Sequence, residues 1–143
     1  MTTLLVDTSV LLKWFHGSGE AELAEARAIR DAHQRGDLEA RIIDLAMYEV
    51  GNVLLTRLRW TASDIAGQLD DLVSICGTPL VATSGWLRDA AILGETHQLS
   101  FYDAAWAASA RGLGIPLVSA DAKLIAAGLA ESPAVTARRL RLR

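Results

Sequence analysis

Residues 3–9 read TLLVDTS, and this stretch decides the fold prediction. The consecutive large apolar residues Leu4 to Val6 are typical of a strand buried on both faces of a parallel sheet. Asp7 follows immediately, with Thr8 and Ser9 after it, so the chain is expected to turn there from strand into helix. A carboxylate in that position stands at the carboxyl edge of the sheet, where open α/β folds bind their ligands. A plain helix-capping role explains Asp7 equally well when it is considered alone.

Three more carboxylates flank apolar segments: Glu49 in MYEVGN, Asp103 in SFYDAAW and Asp121 in PLVSAD. Each also has a simpler explanation, namely a surface glutamate, a capping arrangement and a helix cap. If the four converge, each ionised pair about 5 Å apart repels by about 3 kcal/mol at an effective dielectric near 20. Such a cluster calls for a cation, and carboxylate oxygens suit Mg²⁺ or Mn²⁺.

Apolar β-type runs alternate with Ala-rich helical segments along the whole chain, which predicts βαβ units around a parallel sheet. We predict strands near residues 3–7, 40–44, 79–82, 115–119 and 133–137. We predict helices over residues 20–35, 45–57 (capped by Asp44), from Thr61 onward, 84–97 (capped by Thr83) and 101–111 (capped by Ser100).

A length of 143 residues suits one domain, residues 1–143, with a single core. The longest uncharged stretch, Leu72 to Leu87, is broken by glycine and proline and is too short to span a bilayer. No secretory signal is evident, and the lone Cys76 has no partner for an internal disulfide, so we expect a cytoplasmic protein.

The net charge of −3 gives no sign of general nucleic-acid binding, but four arginines crowd the last six residues. Residues 1–137 therefore carry 10 basic against 17 acidic groups, a charge of −7. The basic tail could contact phosphate. It is equally explained as a solvated terminus or as a final edge strand with outward arginines.

Taken together, the four acidic motifs resemble those of the PIN-domain family and, within it, the VapC-type ribonuclease toxins of bacterial toxin–antitoxin pairs. The resemblance covers essentially the whole length. It rests on VDTSV at residues 6–10, Glu49 followed by NVL at 52–54, SFYDAA at 100–105, and VSAD at 118–121 with Lys123 and Leu124.

This resemblance implies a three-layer α/β/α sandwich and a metal-dependent endoribonuclease that cuts structured RNA, with tRNA as one candidate, by attack of a metal-activated water. The implied ligands of Mg²⁺ or Mn²⁺ are Asp7 and Asp103, with Glu49 and Asp121 completing the cluster. Residues that orient these carboxylates would be Thr8, Ser9, Asn52 and Ser119. The implied partners are the RNA, a cognate antitoxin whose tail covers the acidic groove, and a second copy in a homodimer.

Several alternatives remain open on the sequence. An aspartyl-nucleophile phosphatase would place a second acid two residues after the first, where this chain has Ser9. A dinucleotide-binding module lacks its glycine signature. A catalytically silent PIN domain that binds RNA or protein is the main competitor. Trp106 is a candidate for stacking on bases, and the apolar residues Leu11, Leu12, Trp14 and Phe15 are candidates for an antitoxin surface, although core packing explains both more simply.

Overall fold

The computed structural model describes residues 1–17 and 19–143. Its centre is a parallel sheet in the order β2–β1–β3, formed by β1 (Thr3–Val6), β2 (Glu39–Arg41) and β3 (Leu117–Val118). Leu4 and Leu5 of β1 are fully buried. The continuous apolar run is therefore explained by its central place, with a neighbouring strand on each side and helices above and below.

Helices make up most of the remaining chain and cover this sheet, which gives the predicted three-layer α/β/α sandwich. Their bounds are α1 Thr8–Phe15, α2 Leu23–Arg35, α3 Leu45–Asn52, α4 Ala62–Cys76, α5 Ser84–His97, α6 Phe101–Leu113, α7 Ala122–Ala126 and α8 Pro133–Leu140. A π-helical turn, Val53–Arg57, continues α3 directly. None of the described helices is both long and apolar enough to cross a membrane.

The close packing of α5 against α6 follows from small residues. Residues 104–110 of α6, five of which are alanine, are buried throughout. Trp86 of α5 fills the space over Gly112, where an added Cβ would collide with the indole nitrogen. Near the amino end of α6, an added Cβ on Gly94 of α5 would lie 3.6 Å from the Cβ of Ala104, so the close packing extends to the turn that carries Asp103.

Two strand predictions need correction. Residues 133–137 form helix α8, because the Ser132 hydroxyl accepts a hydrogen bond from the Val135 amide and Pro133 occupies the first turn. The tail arginines consequently do not form an edge strand, and Arg139 pairs with Glu131 at 2.7 Å. Around residues 79–82 the strand is reduced to one parallel bridge between Leu80 and Ile43.

The helix caps were predicted with mixed success. Thr61, Thr83 and Ser100 each accept a hydrogen bond from the amide three residues on, as expected. Asp44 does not cap α3, because its own backbone is already helical (φ −61°, ψ −23°) and its side chain makes no capping bond. Asp44 is half-buried and borders a groove at the edge of the sheet.

Candidate active site

The four predicted carboxylates line one cavity of about 190 Å³ at the carboxyl edge of the sheet. Each comes from a different element: Asp7 ends β1, Glu49 lies in α3, Asp103 in the first turn of α6, and Asp121 just after β3. The cavity is also lined by Thr8, Ser9, Leu12 and Trp106. Parallel strands bring their carboxyl ends to a common edge, so residues far apart in sequence meet there.

Asp7 is the most buried of the four, with 4% of its surface exposed. Its Oδ1 atom accepts hydrogen bonds from the amide of Ser9 (3.1 Å) and the hydroxyl of Ser9 (2.5 Å). Burial raises the pKa of the Asp7 carboxyl from 3.8 to about 6 and the charge of Glu49 adds to the rise, against hydrogen bonds from Ser119 and Ser9. Asp7 thus both caps α1 and presents a buried acidic group to the cavity.

A serine pair joins the turns that follow β1 and β3. Ser9 Oγ accepts a hydrogen bond from the Ala120 amide at 2.8 Å and lies 3.4 Å from Ser119 Oγ. Ser119, which is fully buried, accepts from the Asp121 amide at 3.0 Å. The two hydroxyls therefore fix the positions of Asp7 and Asp121 relative to each other.

Glu49 is held by donors from two other helices. Its Oε1 atom accepts hydrogen bonds from Thr8 Oγ1 of α1 at 2.9 Å and from Trp106 Nε1 of α6 at 2.7 Å. Trp106 is 1% exposed, so it positions Glu49 and has no face available for stacking on a base. A buried indole N–H needs an acceptor, and Glu49 supplies it.

Asp103 and Asp121 form the more open half of the cavity. Burial raises the pKa of Asp103 and the nearby charge of Asp121 raises it further, against the Ser100 hydrogen bond and the charge of Lys123. Asp121 Oδ1 caps α7 by accepting from the amides of Lys123 (2.9 Å) and Leu124 (3.1 Å). Asp121 therefore both caps α7 and lines the cavity, so the two roles predicted for it are compatible.

Some predicted residues lie elsewhere. Asn52 is exposed and is not part of the cavity lining, and its predicted role in orienting the carboxylates stays a prediction. Leu11 and Trp14 are buried in the core, which leaves Leu12, at the cavity wall, as the one apolar candidate of α1 that borders the acids.

The oxygen-only donor set suits a hard divalent cation. Among the described residues, however, no three acidic, histidine or cysteine side chains are gathered tightly enough to chelate one ion by themselves. Mg²⁺ usually binds through one or two carboxylates and keeps several waters. The residues present therefore fit such an ion, with water completing its coordination.

A family model described as the PIN domain matches residues 4–129. The chain belongs to the PIN-domain family. Members of this family are generally nucleases, and the acidic cavity lies within the matched residues. No curated protein matches the chain significantly.

Solved structures agree with a PIN fold. PAE2754 from Pyrobaculum aerophilum is 26% identical, with a TM-score of 0.67 over 98% of this chain and 97% of that one. The Mycobacterium tuberculosis toxin VapC20, described as cleaving the sarcin–ricin loop, is 21% identical (TM-score 0.65; 87% and 95% covered). A chain from a Klebsiella pneumoniae toxin–antitoxin complex is 15% identical (TM-score 0.64; 91% and 97% covered).

Proposed function

We propose that this PIN protein is a Mg²⁺- or Mn²⁺-dependent endoribonuclease whose catalytic residues are Asp7, Glu49, Asp103 and Asp121. The observation that carries the proposal is the single cavity these side chains line, at the edge of the sheet where α/β folds bind ligands. Each of the four carboxylates would bind the ion directly or through a water molecule. Membership of the family supports the nuclease class.

The buried Asp7 favours this proposal over a purely structural cluster. An ionised carboxylate that is 4% exposed and lies beside Glu49 is costly, and the raised pKa of Asp7 expresses that cost. A divalent cation would offset it. The fixed hydrogen bonds from Thr8, Ser9 and Trp106 would keep Glu49 and Asp7 aimed at the cavity while the ion binds.

When bound, the ion would supply an acidified water and positive charge for an in-line displacement at phosphorus. The chain's own residues would hold that charge at the cavity and place the scissile phosphate over it. Because this chemistry does not use the RNA 2′-hydroxyl as nucleophile, the products should carry 5′-phosphate and 3′-hydroxyl ends.

We also propose that the protein is the toxin of a toxin–antitoxin pair and acts in the cytoplasm. Residues 1–143 would form its single nuclease domain. The support for this proposal is the fold shared with a protein named as a toxin and with a chain of a toxin–antitoxin complex. A cognate antitoxin would place an arginine or lysine among the four carboxylates, which would satisfy their charge and block the substrate. A homodimer that assembles further with the antitoxin is part of the same proposal.

A catalytically silent module that binds RNA or protein is the second candidate. It is favoured by one observation, the absence among the described residues of three acidic side chains close enough to chelate an ion. The two candidates differ in whether metal produces cleavage.

The test is cleavage of total cellular RNA by the purified protein with Mg²⁺ or Mn²⁺, with the cut ends mapped by sequencing. EDTA and Asp103→Asn should each abolish discrete cuts, with a loss of at least about 100-fold for the variant, since even outer-sphere partners of a metal contribute about 10- to 100-fold. Asp70→Asn, at an exposed carboxylate of α4 outside the cavity, is the matched control and should cleave normally. No cutting by metal-loaded, antitoxin-free wild type would favour the silent module.

A further inference from the structure

A second groove, of about 330 Å³, opens at the same edge of the sheet, and helices α3 and α6 contribute residues both to it and to the carboxylate cavity. Ala105 of α6 borders this groove and its neighbour Trp106 borders the cavity. We call it the aromatic groove. Its lining is Ile43, Asp44, Leu45, Tyr48, Val81, Ala82, Leu87, Phe101, Tyr102 and Ala105.

Three aromatic side chains in this groove are open to solvent. Tyr48 is 75% exposed, Tyr102 61% and Phe101 49%. Tyr48 directly precedes Glu49 and Tyr102 directly precedes Asp103, so the Cα atoms of each pair are about 3.8 Å apart. Clustered exposed aromatics in a concave site mark a binding surface, and here two of the aromatics are the chain neighbours of two cavity acids.

The charge of the lining residues limits which kind of ligand the groove can bind. Among the described residues that form the groove, Asp44 carries the only charge, and no lysine or arginine is present to bind a phosphate. Asp44 stands at the start of α3, yet its side chain makes no capping hydrogen bond. The groove thus offers flat apolar faces and one carboxylate that accepts hydrogen bonds, which suits a planar ring whose edge carries N–H donors.

We propose that the aromatic groove holds one unstacked nucleobase of the RNA, next to the phosphate that lies over the carboxylates. The base stacks on Tyr48 and Tyr102, as aromatic side chains commonly bind splayed RNA bases. Asp44 selects guanine, whose Watson–Crick edge presents two adjacent N–H donors to a carboxylate acceptor. This inference rests on the proposed function and adds a specificity site to it.

The test measures binding apart from cleavage. All proteins carry Asp7→Asn, so that the RNA stays intact, and the probes are short uridine-rich RNAs with one guanosine, one inosine or one abasic site. Affinity is read by fluorescence anisotropy, and a 2-aminopurine probe reports stacking by loss of its fluorescence. Light scattering gives the mass of each variant.

We expect Tyr102→Leu and Tyr48→Leu each to weaken guanosine binding by roughly tenfold and to abolish the 2-aminopurine quenching. Asp44→Asn should remove the preference for guanosine over inosine while leaving the quenching intact. Val135→Ala, an exposed apolar change on α8 outside the groove, is the matched control and should bind as the parent protein does.

Two results would overturn the proposal. Equal affinity and quenching in the tyrosine variants and the control would show that no base occupies the groove. Tyrosine variants that lower the mass in solution and leave RNA affinity unchanged would make the groove a contact between copies of the chain. Failure of the nuclease proposal is distinguishable, because it appears as absent cleavage in the wild-type protein whatever these binding data show.

Discussion

Replacing Asp7 by asparagine should stabilise the metal-free protein at neutral pH. Asp7 is 4% exposed, and burial, reinforced by Glu49, raises the pKa of its carboxyl from 3.8 to about 6. That rise of about two units corresponds to about 3 kcal/mol at 1.36 kcal/mol per unit. Asparagine carries no charge and keeps an acceptor oxygen for the Ser9 amide and hydroxyl.

The sign follows from proton linkage. Because the folded-state pKa is raised, the favourable contribution of Asp7 is complete below about pH 3.8 and is lost as the pH rises to about 6. The difference in free energy of unfolding between Asp7→Asn and wild type should therefore grow across this window by about 3 kcal/mol. Above it the difference should stay constant.

The assay is urea unfolding followed by tryptophan fluorescence, in EDTA, at pH values from 3.5 to 7.5. Asp70→Asn at an exposed site serves as the control and should follow wild type closely. Excess Mn²⁺ at pH 7.5 should reverse the order, because only the wild-type carboxylate cluster gains stability by binding the ion. A pH-independent difference in free energy of unfolding between Asp7→Asn and wild type would refute the claim that burial destabilises the ionised Asp7 carboxylate.

Other changes test the surrounding structure. Trp106→Phe removes the indole donor to Glu49 and should lower the free energy of unfolding, measured in urea, by about 2 kcal/mol. An unchanged midpoint would show that this hydrogen bond does not stabilise the fold. Gly112→Ala should destabilise by about 1–2 kcal/mol because its Cβ collides with Trp86, whereas Gly67→Ala, in open space on α4, should stabilise by up to about 1 kcal/mol. Mass spectrometry of cleaved RNA should find 5′-phosphate and 3′-hydroxyl ends, and 2′,3′-cyclic phosphates would contradict metal-activated water as the nucleophile.

The central strand and the convergence of the acids were predictable from local sequence. Leu4 to Val6 form an apolar run that is typical of a strand buried on both faces, and Asp7 follows it without a gap. Asp121 follows β3 after only two intervening residues, Ser119 and Ala120. Parallel strands then place both carboxylates at one edge, so topology alone brings them together.

Other features depend on signals that were weak or misinterpreted. The β-type composition of residues 133–137 concealed a helix start, although Ser132 followed by Pro133 is a standard capping signal. Pro79 lacks a backbone donor, which is consistent with a fourth strand reduced to a single bridge at Leu80.

The contacts that position Glu49 could not be predicted from the sequence. Trp106 and Glu49 are 57 residues apart, and their meeting depends on how α3 and α6 pack in three dimensions. The same is true of the aromatic groove, because the exposure of Tyr48 and Tyr102 is set by tertiary packing. Local patterns predicted most of the elements, whereas side-chain partners depend on the tertiary fold.

The account depends most on the claim that the four carboxylates bind a divalent cation. Isothermal titration of Mn²⁺ into the purified full-length protein at pH 7.5 tests that claim without requiring a substrate. The account predicts saturable binding by wild type and Asp70→Asn, with affinity lost in Asp7→Asn and Asp103→Asn. Equal binding by all four proteins, or no binding by any of them, would contradict it.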